Sequence, residues 1–311
     1  MQTSLGNESE TQVMALSFSR LRRSILLISV ILAGTLVISI APAVSSADEE
    51  NDTQHIEQFQ PIAVSGDMLG DFEAVAEDMD QVTMLMIFMQ LQELGEIDTD
   101  LTEDSFTEAE SLDEVKEHLD GDFLIPDELP DGMTESDARF GIGESGQVTA
   151  TINVGVARTI TELLDLPAKW LPEDTGDGET LEITLNIPES GLAGWHSGMD
   201  MLIVGQIGVP ELDVPDEMDL ELLRDAIIDD PRMPDELADQ LDAIDNWDET
   251  VPVPVPEGAD YEDLTIDGNP GFVLSMDNKG GVVAWADEGT LHFVAGNSGA
   301  DELQEIAESM Q

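Results

Sequence analysis

The residues from Gly271 to Ala295 constrain the fold more than any other stretch. Gly271 to Met276, Gly281 to Ala286 and Thr290 to Ala295 are three short strand-like runs separated by glycine-containing turns, a spacing that predicts an antiparallel meander. With Glu288-Gly289 as a two-residue turn, Trp285 faces His292, Ala286 faces Leu291 and Asp287 faces Thr290. Val283 and Val294 then share the Trp285 face, while Ala284, Ala286, Leu291 and Phe293 line the other. Both faces are largely apolar and need cover. A final helix carrying Leu303, Ile306 and Met310, capped by Asn297 or Ser298, is expected to cover one of them.

Upstream, Gln147–Val154 and Thr180–Ile187 alternate like half-buried strands, with Asp174 to Gly178 as the turn before the second. Met201 to Val204 reads as a short buried strand. Helices are expected at Ser111–Leu119, at Met218–Ile228 with Leu222, Leu223, Ala226 and Ile227 on one side, and after Pro234. Pro234 is placed at the first helical position, with Asp235 and Glu236 in the first turn and Leu237, Leu241 and Ile244 as the apolar stripe. Leu129-Pro130-Asp131-Gly132 marks a turn. Val251-Pro252-Val253-Pro254-Val255-Pro256 lacks alternate amides, so it is an edge strand or a polyproline connector and not a central strand. Helix and strand signals without a βαβ rhythm give an α+β class: an antiparallel sheet with packed helices.

The N-terminal third is organised differently. Arg20, Arg22 and Arg23 precede an apolar run from Ile25 to Ile40, then small residues to Ala47 and the acids Asp48-Glu49-Glu50. Residues 1–47 therefore read as a secretory signal, cleaved after Ala43 or Ala47, or as an uncleaved anchor crossing the membrane through residues 24–44. Both place the rest of the chain outside the membrane. The paired arginines resemble a twin-arginine export signal, and Met14 is a second candidate start. Residues 48–66 read as an acidic linker. Residues 67–110 read as a Met-rich helix, apolar all round from Val82 to Met89, followed by an acidic linker from 96 to 110. Residues 111–311 form the α+β ectodomain. Met84 and Phe88 are candidate partner contacts, since Met-rich surfaces adapt to partners; core packing or self-association is the alternative.

Composition narrows the chemistry. The chain has 69 Asp and Glu against 10 Lys and Arg, a net charge of −59. That balance repels phosphate backbones and argues against nucleic-acid binding. The acids are dispersed and not gathered in ligand loops, which fits a chain adapted to high salt. With no cysteine there are no disulfides, no thiol catalysis and no cysteine-ligated zinc. The histidines His55, His118, His196 and His292 stand singly, and no nucleophile elbow or phosphate loop occurs. Asp174-x-x-Asp177-Gly178 and Asp263-x-Thr265-x-Asp267-Gly268 hint at calcium loops but lack most ligand positions, so they read as turns. No cofactor and no metal is expected. Trp195 and His196, between Gly194 and Gly198, form either an exposed binding tip or a loop aromatic folded onto the core.

Two stretches resemble a known family. Ser111 to Met133 combines a short helix, an apolar strand at Phe123-Leu124-Ile125, a proline and Leu-Pro-x-Gly. Ile266 to Met310 combines Ile266-Asp267-Gly268, the Trp285 strand, Val294-Ala295-Gly296 and the final helix. Together they resemble domain-of-unknown-function family 4367, and the middle of the chain is similar to its long secreted members. The resemblance covers residues 111–311. It implies an extracytoplasmic α+β domain related to the curved-sheet folds of lipoprotein carriers and of sensor domains regulating anti-sigma factors. It implies no enzyme activity and supplies no catalytic residues. His292 stands where the family usually has Tyr. The expectation is a non-catalytic accessory or sensory ectodomain that binds an envelope protein partner. Trp195, Trp285 and His292 join Met84 and Phe88 as candidate contacts. The alternative is a carrier holding an apolar ligand in a curved sheet, and no constellation supports a hydrolase. A carrier should display a large apolar cavity, a partner-binding module an exposed apolar patch.

Overall fold

The computed structural model describes residues 56–64, 95–102, 105–119, 123–134, 138–163, 168–172, 179–215, 218–229, 233–247, 249–276 and 280–310. The leader through residue 47, the helix expected before Gly95 with Met84 and Phe88, and the turn at Asp174–Gly178 lie outside them. Most of the described chain is antiparallel sheet with few helices.

The C-terminal meander forms as its turns require. β11 (Ala259–Ile266), β12 (Asn269–Met276), β13 (Gly280–Asp287) and β14 (Thr290–Gly296) follow one another as hairpins. Asp267-Gly268 and Glu288-Gly289 have φ of 51°, 93°, 44° and 80°. Positive φ at both central residues is the mirror-image turn whose twist suits a hairpin. The register is the expected one, with Trp285 opposite His292, Ala286 opposite Leu291 and Asp287 opposite Thr290. Asp263 lies inside β11 and Asp267 in the turn, so the calcium-like spacing there belongs to a hairpin.

The meander is half of a larger sheet. β3 (Phe106–Ala109), β4 (Arg139–Gly143), β7 (Ser190–Ser197) and β8 (Asp200–Gly208) extend it to eight strands in the order β11-β12-β13-β14-β8-β7-β4-β3. The strand expected at Met201–Val204 is thus the core of a nine-residue strand. Helix α5 (Ala300–Ser309) and helix α1 (Leu112–His118) pack on one face. The buried cluster there includes Val115, Ala193, Val204, Val283, Trp285, Val294, Leu303 and Ile306. Ser111 caps α1 by accepting the Glu114 N–H.

The opposite face, toward the β11 edge, is covered by a two-stranded parallel ribbon. β1 (Gln58–Val64) pairs with β10 (Thr250–Pro256), Phe59 opposite Val251 and Pro61 opposite Val253. In a parallel pair alternate residues turn both polar groups toward the partner. Val251, Val253 and Val255 can serve it, while the three prolines need only face away. Phe59 meets Phe272 edge-on at 5.1 Å, and Ile56, Val253 and Ala286 complete that cluster. Helices α3 (Leu220–Ile228) and α4 (Asp235–Asp242) accompany the ribbon, where Ile62, Leu241, Ile244 and Trp247 bury one another.

Several expectations need correction. The acidic stretch 96–110 is not a linker throughout: it contributes β2 (Gly95–Thr99) and β3, each paired along one side to a neighbouring strand. Most of its residues are acids or exposed, so their alternation carries little hydrophobic signal. Residues 58–64, within the expected first linker, form β1 and bury Phe59 and Ile62. Phe123-Leu124-Ile125 belongs to no strand; Phe123 is instead a buried plug near Gly191. The helix expected from Met218 begins at Leu220, with the Asp219 carboxylate accepting the Leu222 N–H. Pro234 is the N-cap of α4 and not its first residue, because its ψ of 127° is extended. The cap of α5 is Gly299, since the Asn297 side chain is committed elsewhere: it accepts the Met201 N–H at 2.7 Å and donates to the Met199 carbonyl at 2.9 Å. Trp195 lies in strand β7 and not in a loop.

Candidate functional site

A second sheet, four-stranded, has the order β2-β5-β6-β9, with β5 (Gly146–Asn153), β6 (Thr180–Ile187) and β9 (Glu211–Asp213). Its order repeats that of β3-β4-β7-β8. Each strand of one sheet is joined in sequence to its counterpart in the other: β2 to β3, β4 to β5, β6 to β7, β8 to β9. The last three junctions are two residues each, with Pro188 and Pro210 at two of them. Backbone bonds run across the fold line, Glu144 N–H to the Ser105 carbonyl at 2.8 Å and Asp100 N–H to the Gln147 carbonyl at 3.3 Å. The two sheets are thus one strand set folded along a line.

The register sorts the side chains of the smaller sheet cleanly. Ile97, Ala150 and Ile183 are partners in one row; Val148, Leu185 and Leu212 form another on the same face. The reverse face holds Asp98, Thr149, Thr184 and Asp213 in one row, and Gln147, Asn186 and Glu211 in the next. Thr149 and Thr184 hydroxyls lie 3.2 Å apart, and Gln147 donates to Asn186 at 2.8 Å. Among the described elements, α2 (Val154–Leu163) is the helix packed on this sheet. Val154 and Ala157 join Leu171 and Leu181 at one end of the apolar face. On the edge strand β2, Ile97 is 75% exposed, while Leu185 in the next row of the same face is buried. The apolar surface open to solvent on this face therefore lies around Ile97.

A concave feature among the described residues is of another character. An open cleft of about 490 Å³ is lined by Glu108, Glu110, Arg139 and His196, with Ala109, Ala138 and Phe140. Arg139 pairs with Glu108 at 2.9 Å, and both side chains are exposed. Among the described residues no three His, Asp or Glu side chains gather where they could hold one ion.

The aromatic residues proposed from sequence as contacts are core residues. Trp195 is 4% exposed, Trp285 2% and His292 5%. Trp285 and His292 stack with ring centroids 5.1 Å apart and planes 13° apart. Gln206 is the other register neighbour of His292. The Gln206 Oε1, His292 Nδ1 and Trp195 Nε1 atoms are buried without a hydrogen-bond partner. Burial pushes the His292 pKa down to about 4, against a weaker upward pull from Asp287. The structure therefore brings Trp285 and His292 together, places Trp195 in the same core cluster, and turns none of the three toward solvent. Ile97 was missed because one Ile among acids in Gly95-Glu96-Ile97-Asp98-Thr99 gives too short an alternation to read as a strand, whereas its row partners Ala150 and Ile183 lie in strands that the sequence predicts.

The comparisons fall on the meander. Residues 256–310 match the model of a domain of unknown function, DUF4367. The similarity to that domain is confined to the C-terminal part. The match spans β11 to β14 and α5 and contains the second of the two stretches that carried the resemblance, Ile266–Met310; Ser111–Met133 lies outside it. No curated protein and no solved structure matches the chain. Among the described residues no helix is long and apolar enough to cross a membrane.

Proposed function

We propose that this chain is an exported or membrane-anchored accessory or sensory module of the cell envelope, binding a protein partner and performing no catalysis. The observation that carries the reading is Ile97, 75% exposed on the edge strand β2 in one row with Ala150 and Ile183. Support for the location comes from Arg20, Arg22 and Arg23 ahead of the Ile25–Ile40 run, and from the resemblance of the middle of the chain to long secreted members of the family. Glu96, Asp98, Glu182, Glu211 and Asp213 lie on the reverse face. With a net charge of −59 on the chain, the partner that fits presents an apolar contact on a Lys- or Arg-rich surface, since opposite charge steers encounter and like charge rejects.

A photo-crosslinking amino acid at Ile97, with Glu182 on the reverse face as control, tests this in intact cells. The expected result is one discrete protein adduct from position 97 and none from 182. A lipid adduct at 97 would turn the reading toward the carrier. Equal labelling at both positions, or none, overturns it.

A further inference from the structure

We propose that the tip of the β7–β8 hairpin is a binding site for a soft monovalent cation, Cu(I) or its analogue Ag(I), held by the His196 imidazole and the Met199 and Met201 thioethers. The hairpin closes through Gly198-Met199, with Gly198 at φ 63° and Ser197 opposite Asp200. The next pair is His196 opposite Met201. The Met201 N–H donates to Asn297 Oδ1 at 2.7 Å, and its carbonyl accepts the Asn297 N–H at 3.3 Å. Both polar groups of Met201 thus point away from β7, so His196–Met201 is a non-hydrogen-bonded pair. In such a pair the Cα atoms approach to about 4.5 Å and the side chains share a face. Met199, two residues before Met201, is 93% exposed and carries its sulfur on three rotatable bonds. Its carbonyl is held by Asn297 Nδ2 at 2.9 Å, which anchors the turn to the end of β14.

The donor set selects the ion. A thioether is a soft ligand that favours Cu(I) and is a poor one for calcium, magnesium or manganese, while imidazole also suits copper. No bond breaks and no electron moves on binding, so the site needs no co-reactant. Asp200 lies between the two methionines, and a chain of net charge −59 raises the local concentration of any cation. An apolar side chain as exposed as Met199 adds nothing to the core, so its sulfur is free to bind.

The experiment is titration of the full chain with Ag(I) in potassium nitrate, since chloride would remove the ion. Calorimetry is read together with the methionine methyl resonances. The Met199 and Met201 methyls are expected to shift first, and calcium should leave them in place. Met199→Leu with Met201→Leu, or His196→Ala alone, should weaken this site by more than about tenfold, the loss that even an outer-shell change can cost a metal site. Circular dichroism confirms that the exposed replacements leave the fold intact. Equal affinity and stoichiometry in wild type and variants, or shifts confined to other methionines, overturns the proposal.

Discussion

His292 shows how one side chain carries both packing and a pH cost. Its neutral ring stacks on Trp285 in the core, and its pKa falls from 6.5 to about 4 because burial disfavours the charged form. The unfolded chain therefore binds a proton between these values that the folded chain refuses. Stability is full above about pH 6.5 and declines as pH falls toward 4, by up to about 3 kcal/mol from this residue. His292→Phe keeps a flat ring and removes the orphaned Nδ1, so it should lose this slope and be neutral or slightly stabilising at pH 7.5. Urea unfolding of both proteins from pH 7.5 to 4.5 checks it; parallel curves would mean that His292 is not held neutral. Gly205 makes a second prediction at this scale. A Cβ there would sit 2.3 Å from two Phe293 ring atoms and 2.5 Å from Leu192 Cδ2. Gly205→Ala should cost about 1–3 kcal/mol by overpacking, read as a lowered denaturant midpoint.

At the scale of elements, α5 and the β1–β10 ribbon cover the two faces of the meander that its apolar alternation requires. Leu303 is fully buried between α5 and the sheet, and Leu303→Ala should cost about 2–5 kcal/mol. The ribbon is the more telling case. Val251 to Pro256 could be an edge strand or a polyproline connector but not a central strand, because alternate amides are missing, and each strand of a two-stranded ribbon is an edge. That its partner is β1, from residues 58–64, and that the pair is parallel, came from packing against Phe272 and α4. Phe59→Ala should therefore weaken the attachment of both strands. Hydrogen exchange is expected to rise in residues 58–64 and 250–256 together, while β13 and β14 stay protected; a rise in β1 alone would show that the strands are held separately.

For the whole molecule, charge is the dominant unbalanced force. The described ion pairs Arg139–Glu108 and Arg224–Asp225 have mostly exposed side chains that contribute little. With 69 acidic against 10 basic residues, the net charge of −59 acts as self-repulsion, which salt screens. The melting temperature should rise steeply between dilute buffer and molar KCl. Equal melting in both would remove the expectation of adaptation to high salt.

Sequence alone determined what local chemistry can dictate. Gly-containing turns between short apolar runs set the register of Trp285 and His292, Ser111 capped its helix, and the Val-Pro alternation kept residues 251–256 out of a central strand. These outcomes depend on φ, on missing N–H groups and on side-chain period, all present within a few residues. The tertiary structure decided what depends on distant partners. It extended the meander to eight strands, recruited Asp- and Glu-rich segments as β2 and β3, and diverted Asn297 from its helix to the Met199 turn. It also turned Trp195, Trp285 and His292 inward while leaving Ile97 in solvent. An edge strand that buries almost nothing has no hydrophobic period of its own to read, because its place comes from hydrogen bonds to a neighbour some fifty residues away in the chain.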